Sequence, residues 1–309
     1  MKLAMIFPGQ GSQAVGMLHG YDGLPDIAEV RAQAAQVLGS DFDRTLAEGP
    51  QEALNLTVNT QPAMVTAGYA AYRAWRALKG PEPQLVAGHS LGEYTALVAA
   101  GALSFRDCLP LVRFRAQSMQ EAVPEGKGAM AAILSLGDDK VREACAEAGG
   151  EVQAVNFNAP GQVVIAGEKA AVGRAIEACK AKGAKRAMAL PVSAPFHSTL
   201  MKPAAEKLRG YLESLAVQQP RIGVINNVDV NVEIDPARIK DALVRQAASP
   251  VRWVETIRKM CDSGVTHIVE CGPGKVLAGM TRRINPEVHS LSLTDRASLE
   301  LALQAIRGA

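Results

Sequence analysis

The 309-residue sequence predicts an α/β fold in which a large domain built on a parallel sheet is interrupted by a smaller inserted unit. Three observations carry this reading. Leu3 to Phe7 is a short apolar run that enters a glycine-rich turn, Pro8-Gly9-Gln10-Gly11-Ser12-Gln13. A second run, Leu85-Val86-Ala87, enters Gly88-His89-Ser90-Leu91-Gly92 and then an apolar helical pattern from Tyr94 to Ala100. From Gly126 to Val192 the chain changes to short units in the order βαββαβ, the order of a ferredoxin-like unit.

The elements follow from spacing and punctuation. After the first strand, helical patterns cover Asp26 to Leu38 and Gln61 to Lys79, and Gly80-Pro81-Glu82-Pro83 marks the approach to the second strand. Helices follow Ser90 and run from Arg106 to Ala122. The inserted unit, 126–192, reads as strand Ala129 to Leu134, helix Asp138 to Ala148, strands Val152 to Phe157 and Gln162 to Gly167, helix Lys169 to Lys182 and strand Arg186 to Pro191. The large domain is then assigned to 1–125 and 193–309. Its second part reads as helix Thr199 to Leu215, strand Ile222 to Asn226, helices Asp235 to Gln246 and Arg252 to Asp262, and strand His267 to Cys271. Gly272-Pro273-Gly274-Lys275 reads as a tight turn before a helix of one or two turns.

Composition narrows the class. Hydrophobic residues at 48% with aromatics at only 4% describe a core of Ala, Val and Leu, as in α/β enzymes. A net charge of +2, with no basic run interleaved with aromatics, argues against nucleic acid as a partner. The apolar run Leu3 to Phe7 is too short for a signal peptide, and no run approaches the roughly 18 apolar residues of a membrane span. Five cysteines without a C-x-x-C pair suggest neither a disulfide framework nor a zinc site, which fits the reduced cytoplasm.

Glycines two residues either side of Ser90 permit a strained strand-to-helix elbow that lifts the hydroxyl clear of the backbone and exposes it as a nucleophile. The bland alternative is a capping box, with Ser90 as N-cap and Glu93 as the third helical residue. A serine nucleophile needs a base. Of the five histidines only His197 lies in a suitable segment, the rigid loop Pro191-Val192-Ser193-Ala194-Pro195-Phe196-His197. The alternative is a helix-start histidine that merely caps or packs. His89 is expected to hold the turn and His267 to be structural.

Cys108, Val112, Arg115, Met119 and Ala122 fall at helical spacings, so Arg115 sits on an apolar stripe. A guanidinium there needs a carboxylate or phosphate partner, either an internal Asp or Glu or a carboxylate on the substrate. The backbone N–H groups of Gln10 and Leu91 are candidate donors to an acyl oxyanion. Gly9-x-Gly11 is a poor dinucleotide fingerprint because the next glycine, Gly16, comes one step late.

Taken in order, Gly9-Gln10-Gly11-Ser12-Gln13, Gly88-His89-Ser90-Leu91-Gly92-Glu93, the Arg115 helix, Pro195-Phe196-His197 and Gly272-Pro273-Gly274 make the chain resemble the malonyl-CoA:acyl-carrier-protein transacylases nearly end to end. The resemblance implies an α/β-hydrolase-like large domain with a ferredoxin-like subdomain. It implies that Ser90 attacks malonyl-CoA and becomes a malonyl ester, with His197 as base and then acid, Gln10 and Leu91 as oxyanion hole, and Arg115 on the free malonate carboxylate. The histidine would be oriented by a main-chain carbonyl, at a position matching Gln246. Phe196 would crowd an α-methyl branch, favouring malonyl over methylmalonyl. Met119 is assigned to the substrate pocket with it, core packing being the alternative for Met119 as for Met130. The malonyl group would pass to the phosphopantetheine thiol of holo acyl carrier protein, supplying fatty acid biosynthesis. No cofactor or metal is expected, and the family is usually monomeric. Lys185, Arg186 and Lys202 are candidate contacts to the acidic carrier.

A serine hydrolase or thioesterase shares G-x-S-x-G but needs an acid between serine and histidine in chain order, and leaves the Gly-Gln-Gly turn and the arginine unexplained. A carrier-binding module would use Ser90 only as a cap.

Overall fold

The computed structural model describes residues 1–192 and 194–308; Ser193, in the loop expected to carry the histidine, and Ala309 lie outside the described residues. The chain begins with β1 (Leu3–Phe7), α1 (Pro25–Leu38), α2 (Ser40–Glu48), α3 (Gln51–Asn55), α4 (Thr57–Ala77), β2 (Leu85–Gly88), α5 (Gly92–Ala99) and α6 (Phe105–Glu121). A compact βαββαβ stretch follows: β3 (Gly128–Leu134), α7 (Asp138–Ala148), β4 (Val152–Ala159), β5 (Gln162–Glu168), α8 (Lys169–Ala181) and β6 (Arg186–Ala189). The rest comprises α9 (Lys202–Ser214), β7 (Gly223–Ile225), β8 (Val232–Glu233), α10 (Pro236–Ala247), α11 (Trp253–Asp262), β9 (His267–Cys271), α12 (Val276–Ile284), β10 (His289–Leu293) and α13 (Arg296–Arg307).

The strands form two sheets. The larger has the order β10-β9-β1-β2-β7-β8, parallel except for the short edge strand β8. The smaller, β4-β5-β3-β6, is antiparallel throughout and has the ferredoxin-like order. This is an α/β-hydrolase-like core with a ferredoxin-like subdomain.

β1 shows why the large sheet lies in the middle of the molecule. Leu3, Met5 and Phe7 point into one apolar core and Ala4 and Ile6 into another on the opposite face, so both faces are covered by helices. Its register does the positioning. Phe7 pairs with Gly88 of β2, and Ile6 with Glu270 of β9. The three glycine-rich turns that follow β1, β2 and β9 therefore emerge side by side at the carboxyl end of a parallel sheet, where open α/β sheets bind ligands. The small sheet docks through β4, where Phe157 N donates to Val251 O and Val251 N to Val155 O, at 3.0 and 2.8 Å.

Several boundaries differ from the sequence reading. α4 begins at Thr57 rather than Gln61, with Pro62 inside the helix, because Thr60 Oγ1 donates to Leu54 O (2.6 Å) and satisfies a carbonyl of the preceding turn. The helix expected from Thr199 opens as a 3-10 turn, Thr199–Met201, and becomes α-helical only at Lys202, where Pro203 suits the first turn. β7 stops at Ile225 because Asn226 N turns away to Asn231 O. The helix after Gly274 runs nine residues rather than one or two turns. α2, α3, β8, β10 and α13 have no counterpart among the expected elements. No described helix is long and apolar enough to cross a membrane.

Candidate active site

The turn after β2 is an elbow forced by close backbone approach. A Cβ on Gly88 would lie 1.8 Å from Gly92 C, and one on Gly92 would lie 2.0 Å from Phe7 O. Ser90 holds φ at 52°, a left-handed conformation that a non-glycine residue keeps only under external constraint. Asn227 supplies the constraint: its Oδ1 accepts from Ser90 N (2.8 Å) and its Nδ2 donates to Gly88 O (2.7 Å). The capping box does not form. The N-cap of α5 is Leu91 with no side-chain cap, Ser90 Oγ faces His197, and the Glu93 carboxylate turns inward to Asn227 N and Gln246 Nε2, both at 2.9 Å.

His197 is also left-handed, with φ at 64°, and only 2% exposed. Pro195 fixes its approach by packing on β3, where a Cβ on Gly128 would fall 2.4 Å from the Pro195 ring. Nε2 lies 2.6 Å from Ser90 Oγ and Nδ1 2.9 Å from Gln246 O. The carbonyl can only accept, so the neutral ring carries its proton on Nδ1 and presents the Nε2 lone pair to the serine hydroxyl. Burial, reinforced by the Arg115 charge, pushes the imidazole down to about 3.

Arg115 is 1% exposed. Among the described residues it meets no carboxylate: Nη1 donates to Gln61 Oε1 (2.9 Å), and Nη2 to Gln246 Oε1 (3.1 Å) and Ser90 Oγ (3.3 Å). The guanidinium lies 5.3 Å from the centre of the Tyr94 ring, and its Nε is buried without a hydrogen-bond partner. Burial lowers its pKa. A directly contacting internal ion pair, the bland expectation, is thus absent among the described residues, and a cation whose hydrogen-bond partners are all neutral faces the serine oxygen.

The Gln10 and Leu91 amide N–H groups donate to no group among the described residues. The Gln10 side chain is tied to Thr57 Oγ1 (2.7 Å) and receives Gln61 Nε2 (3.0 Å), so one glutamine, Gln61, links the glycine turn to Arg115. Gln246, expected to act through its carbonyl alone, also uses its side chain, which receives Arg115 and donates to Ser90 O at 2.9 Å. Phe196, half-buried, packs against both the main core and the cluster on the face of the small sheet opposite α7 and α8, which contains Met130. Met119 lies in the main core, one turn beyond Arg115. His89 holds the turn as expected, bonding Asn158 Oδ1 on β4 (2.7 Å) and meeting the Trp253 ring edge-on. His267 stacks on His289, away from the serine. Lys185, Arg186 and Lys202 are exposed.

Sequence reasoning missed Gln61, Asn227 and the inward role of Glu93. A signal existed for Asn227: it follows the apolar β7 at the carboxyl end of a strand, where a polar residue tends to serve the site. Gln61 had only its place on a helix whose neighbouring residues are buried.

Fold and geometry together define a class, and residues 4–293 match the family model of the acyl transferase domain. The malonyl CoA-acyl carrier protein transacylase of Haemophilus influenzae is 53% identical over 302 residues, spanning 96% of each chain. The crystal structure of an acyl-carrier-protein S-malonyltransferase from Burkholderia pseudomallei superposes with a TM-score of 0.97 at 61% identity, over 98% of this chain and 100% of that one. A malonyl-transacylase solved in complex with its type II PKS acyl-carrier protein is 49% identical, with a TM-score of 0.97 over 99% and 100% of the two chains. The chain belongs to the malonyl-CoA:acyl-carrier-protein transacylase family and is an acyltransferase.

Proposed function

We propose that the chain transfers the malonyl group of malonyl-CoA to the phosphopantetheine thiol of holo acyl carrier protein through an ester on Ser90. As Ser90 Oγ attacks the thioester carbonyl, its proton passes to His197 Nε2, and the amides of Gln10 and Leu91 receive the oxyanion. Collapse breaks the carbon–sulfur bond, and His197 returns the proton to the departing coenzyme A thiolate. The carrier thiol then gives its proton to His197 and attacks the ester, and Ser90 regains its hydrogen as the malonyl thioester leaves. Gln246 O holds the imidazolium that forms in each half-reaction. Arg115 pairs with the free carboxylate of malonate, which exchanges its neutral partners for an anion, and an acetyl group would leave it without one. Phe196 and Met119 shape the acyl pocket.

The observation that carries this reading is the 2.6 Å approach of His197 Nε2 to Ser90 Oγ with an unpaired buried guanidinium 3.3 Å from the same oxygen. A hydrolase triad would place a carboxylate on His197 Nδ1, where Gln246 O stands. The product supplies fatty acid biosynthesis. We take the enzyme to act as a monomer in the cytoplasm, a setting supported by five cysteines that are all free thiols.

The test is intact-protein mass after brief mixing with malonyl-CoA, then holo acyl carrier protein. A malonyl adduct on the wild type, absent in Ser90→Ala and discharged to the carrier, is expected. An adduct discharged only to water would make the protein a thioesterase, and no adduct would overturn the nucleophile.

A further inference from the structure

Glu93 is a buried acid beside the reacting pair that the steps above do not use; it is 2% exposed and stands in the first turn of α5. Its Oε2 receives two hydrogen bonds of 2.9 Å, from Asn227 N and Gln246 Nε2, whose residues lie 134 and 153 positions away in the chain. Each donor belongs to a residue that holds one half of the pair. Asn227 grips the elbow through Ser90 N and Gly88 O. Gln246 carries the carbonyl that faces His197 Nδ1, and its side chain meets Arg115 Nη2 and Ser90 O. The loop after β7, the end of α10 and the start of α5 therefore converge on one oxygen. Burying a carboxyl group there is costly; its direct hydrogen-bond partners are two neutral donors, and the buried Arg115 charge acts on it only through space.

We propose that Glu93 is a positioning residue: by accepting both bonds at Oε2 it fixes the Ser90 elbow relative to the carbonyl that orients His197, and so maintains the short Oγ–Nε2 approach. This rests on Ser90 and His197 as the reacting pair. The anchor needs an acceptor oxygen at that point, not a negative charge. A carboxyl protonated at Oε1 still offers Oε2, and glutamine can place a carbonyl oxygen there. Burial raises the Glu93 pKa to about 7, so both forms exist near neutral pH and either can serve. Aspartate keeps the charge but is one methylene too short.

The experiment is the single-turnover rate of Ser90 malonylation at saturating malonyl-CoA in the wild type, Glu93→Gln, Glu93→Asp and Glu93→Ala, with the urea midpoint of each. Displacing reacting groups by about 1 Å can cost on the order of 100-fold, so Glu93→Ala should acylate at least roughly 30-fold more slowly with little change in the malonyl-CoA concentration for half-saturation. Glu93→Gln should stay within about threefold of wild type, and Glu93→Asp should be slower than Glu93→Gln. If the alanine variant does not fold, the order of Gln and Asp decides. Wild-type rates in Glu93→Ala, or Glu93→Gln no faster than Glu93→Asp, would overturn the anchor. A wild type that forms no adduct would instead overturn the nucleophile, which separates the two failures.

Discussion

Ser90 Oγ and His197 Nε2 stand 2.6 Å apart, and both residues hold left-handed backbone, φ 52° and 64°. Such conformations cost about 1–3 kcal/mol each and persist only where the surroundings over-determine them. Asn227 does so for the serine, and the Gln246 carbonyl with the Pro195 contact does so for the histidine. The hydroxyl and imidazole are thus held in hydrogen-bond contact by the fold itself.

Because burial depresses His197 to about 3, far below its ordinary 6.5, the ring is neutral and able to accept a proton across the physiological range. The single-turnover acylation rate should hold level from pH 8 down through pH 6. An acid limb centred near 6.5 would show an imidazole of ordinary basicity. His197→Ala should slow acylation by about 10²–10⁴-fold. The same shift bears on stability: the folded state binds fewer protons than the unfolded one between these two values, so the contribution is present above 6.5 and is lost as pH falls towards 3.

Arg115→Ala should reduce the preference for malonyl-CoA over acetyl-CoA by about 10–100-fold, the worth of a charge-assisted contact to one carboxylate. Arg115→Lys should recover only part, since one ammonium cannot reach Gln61, Gln246 and the substrate in the fixed fork that guanidinium provides. Paired acylation rates on the two thioesters check this. Equal loss on both would remove Arg115 from carboxylate recognition.

Among the glycines the effects of a methyl group should have opposite signs. Gly92→Ala sets a Cβ 2.0 Å from Phe7 O, backbone against backbone, and should cost about 3 kcal/mol or more along with malonyl-transfer activity. Gly173→Ala, inside α8 with nothing within 4 Å of the added carbon, should stabilise by about 0.5–1 kcal/mol. Urea midpoints of the two variants provide the comparison.

Glu270, fully buried, receives Leu277 N and Ala278 N at the start of α12, at 3.2 and 2.7 Å. Burial raises it from 4.5 to about 7, so the folded state holds its proton more tightly than the unfolded state. Its contribution is full below about 4.5 and is lost as pH rises through 7, at about 1.4 kcal/mol per pH unit. Glu270→Gln should therefore gain stability relative to wild type between pH 5 and 7.5 in urea titrations. A difference that does not change with pH would mean the carboxyl titrates alike in both states.

Local spacing made much of this protein readable from the chain. Glycines at 88 and 92 specify the elbow because only residues without Cβ fit the approach, and the three-and-four periodicity placed Arg115 among apolar neighbours. The βαββαβ order anticipated the small sheet, and the serine and the distant histidine singled out in the chain meet at 2.6 Å. α13 carries a legible start signal, the capping box of Asp295 and Ser298 ahead of Leu299, Leu303 and Ile306, although it has no counterpart among the expected elements. α2 and α3 are short elements with few apolar positions to set a period. What no local pattern could reveal is which groups meet. Gln61 reaches Arg115 across 54 residues, Gln246 reaches it across 131, and Asn227 reaches Ser90 across 137. Those contacts exist because β1, β2, β7 and β9 lie in one sheet and discharge their turns at one edge, and a polar side chain carries no mark of the partner that such packing will bring to it.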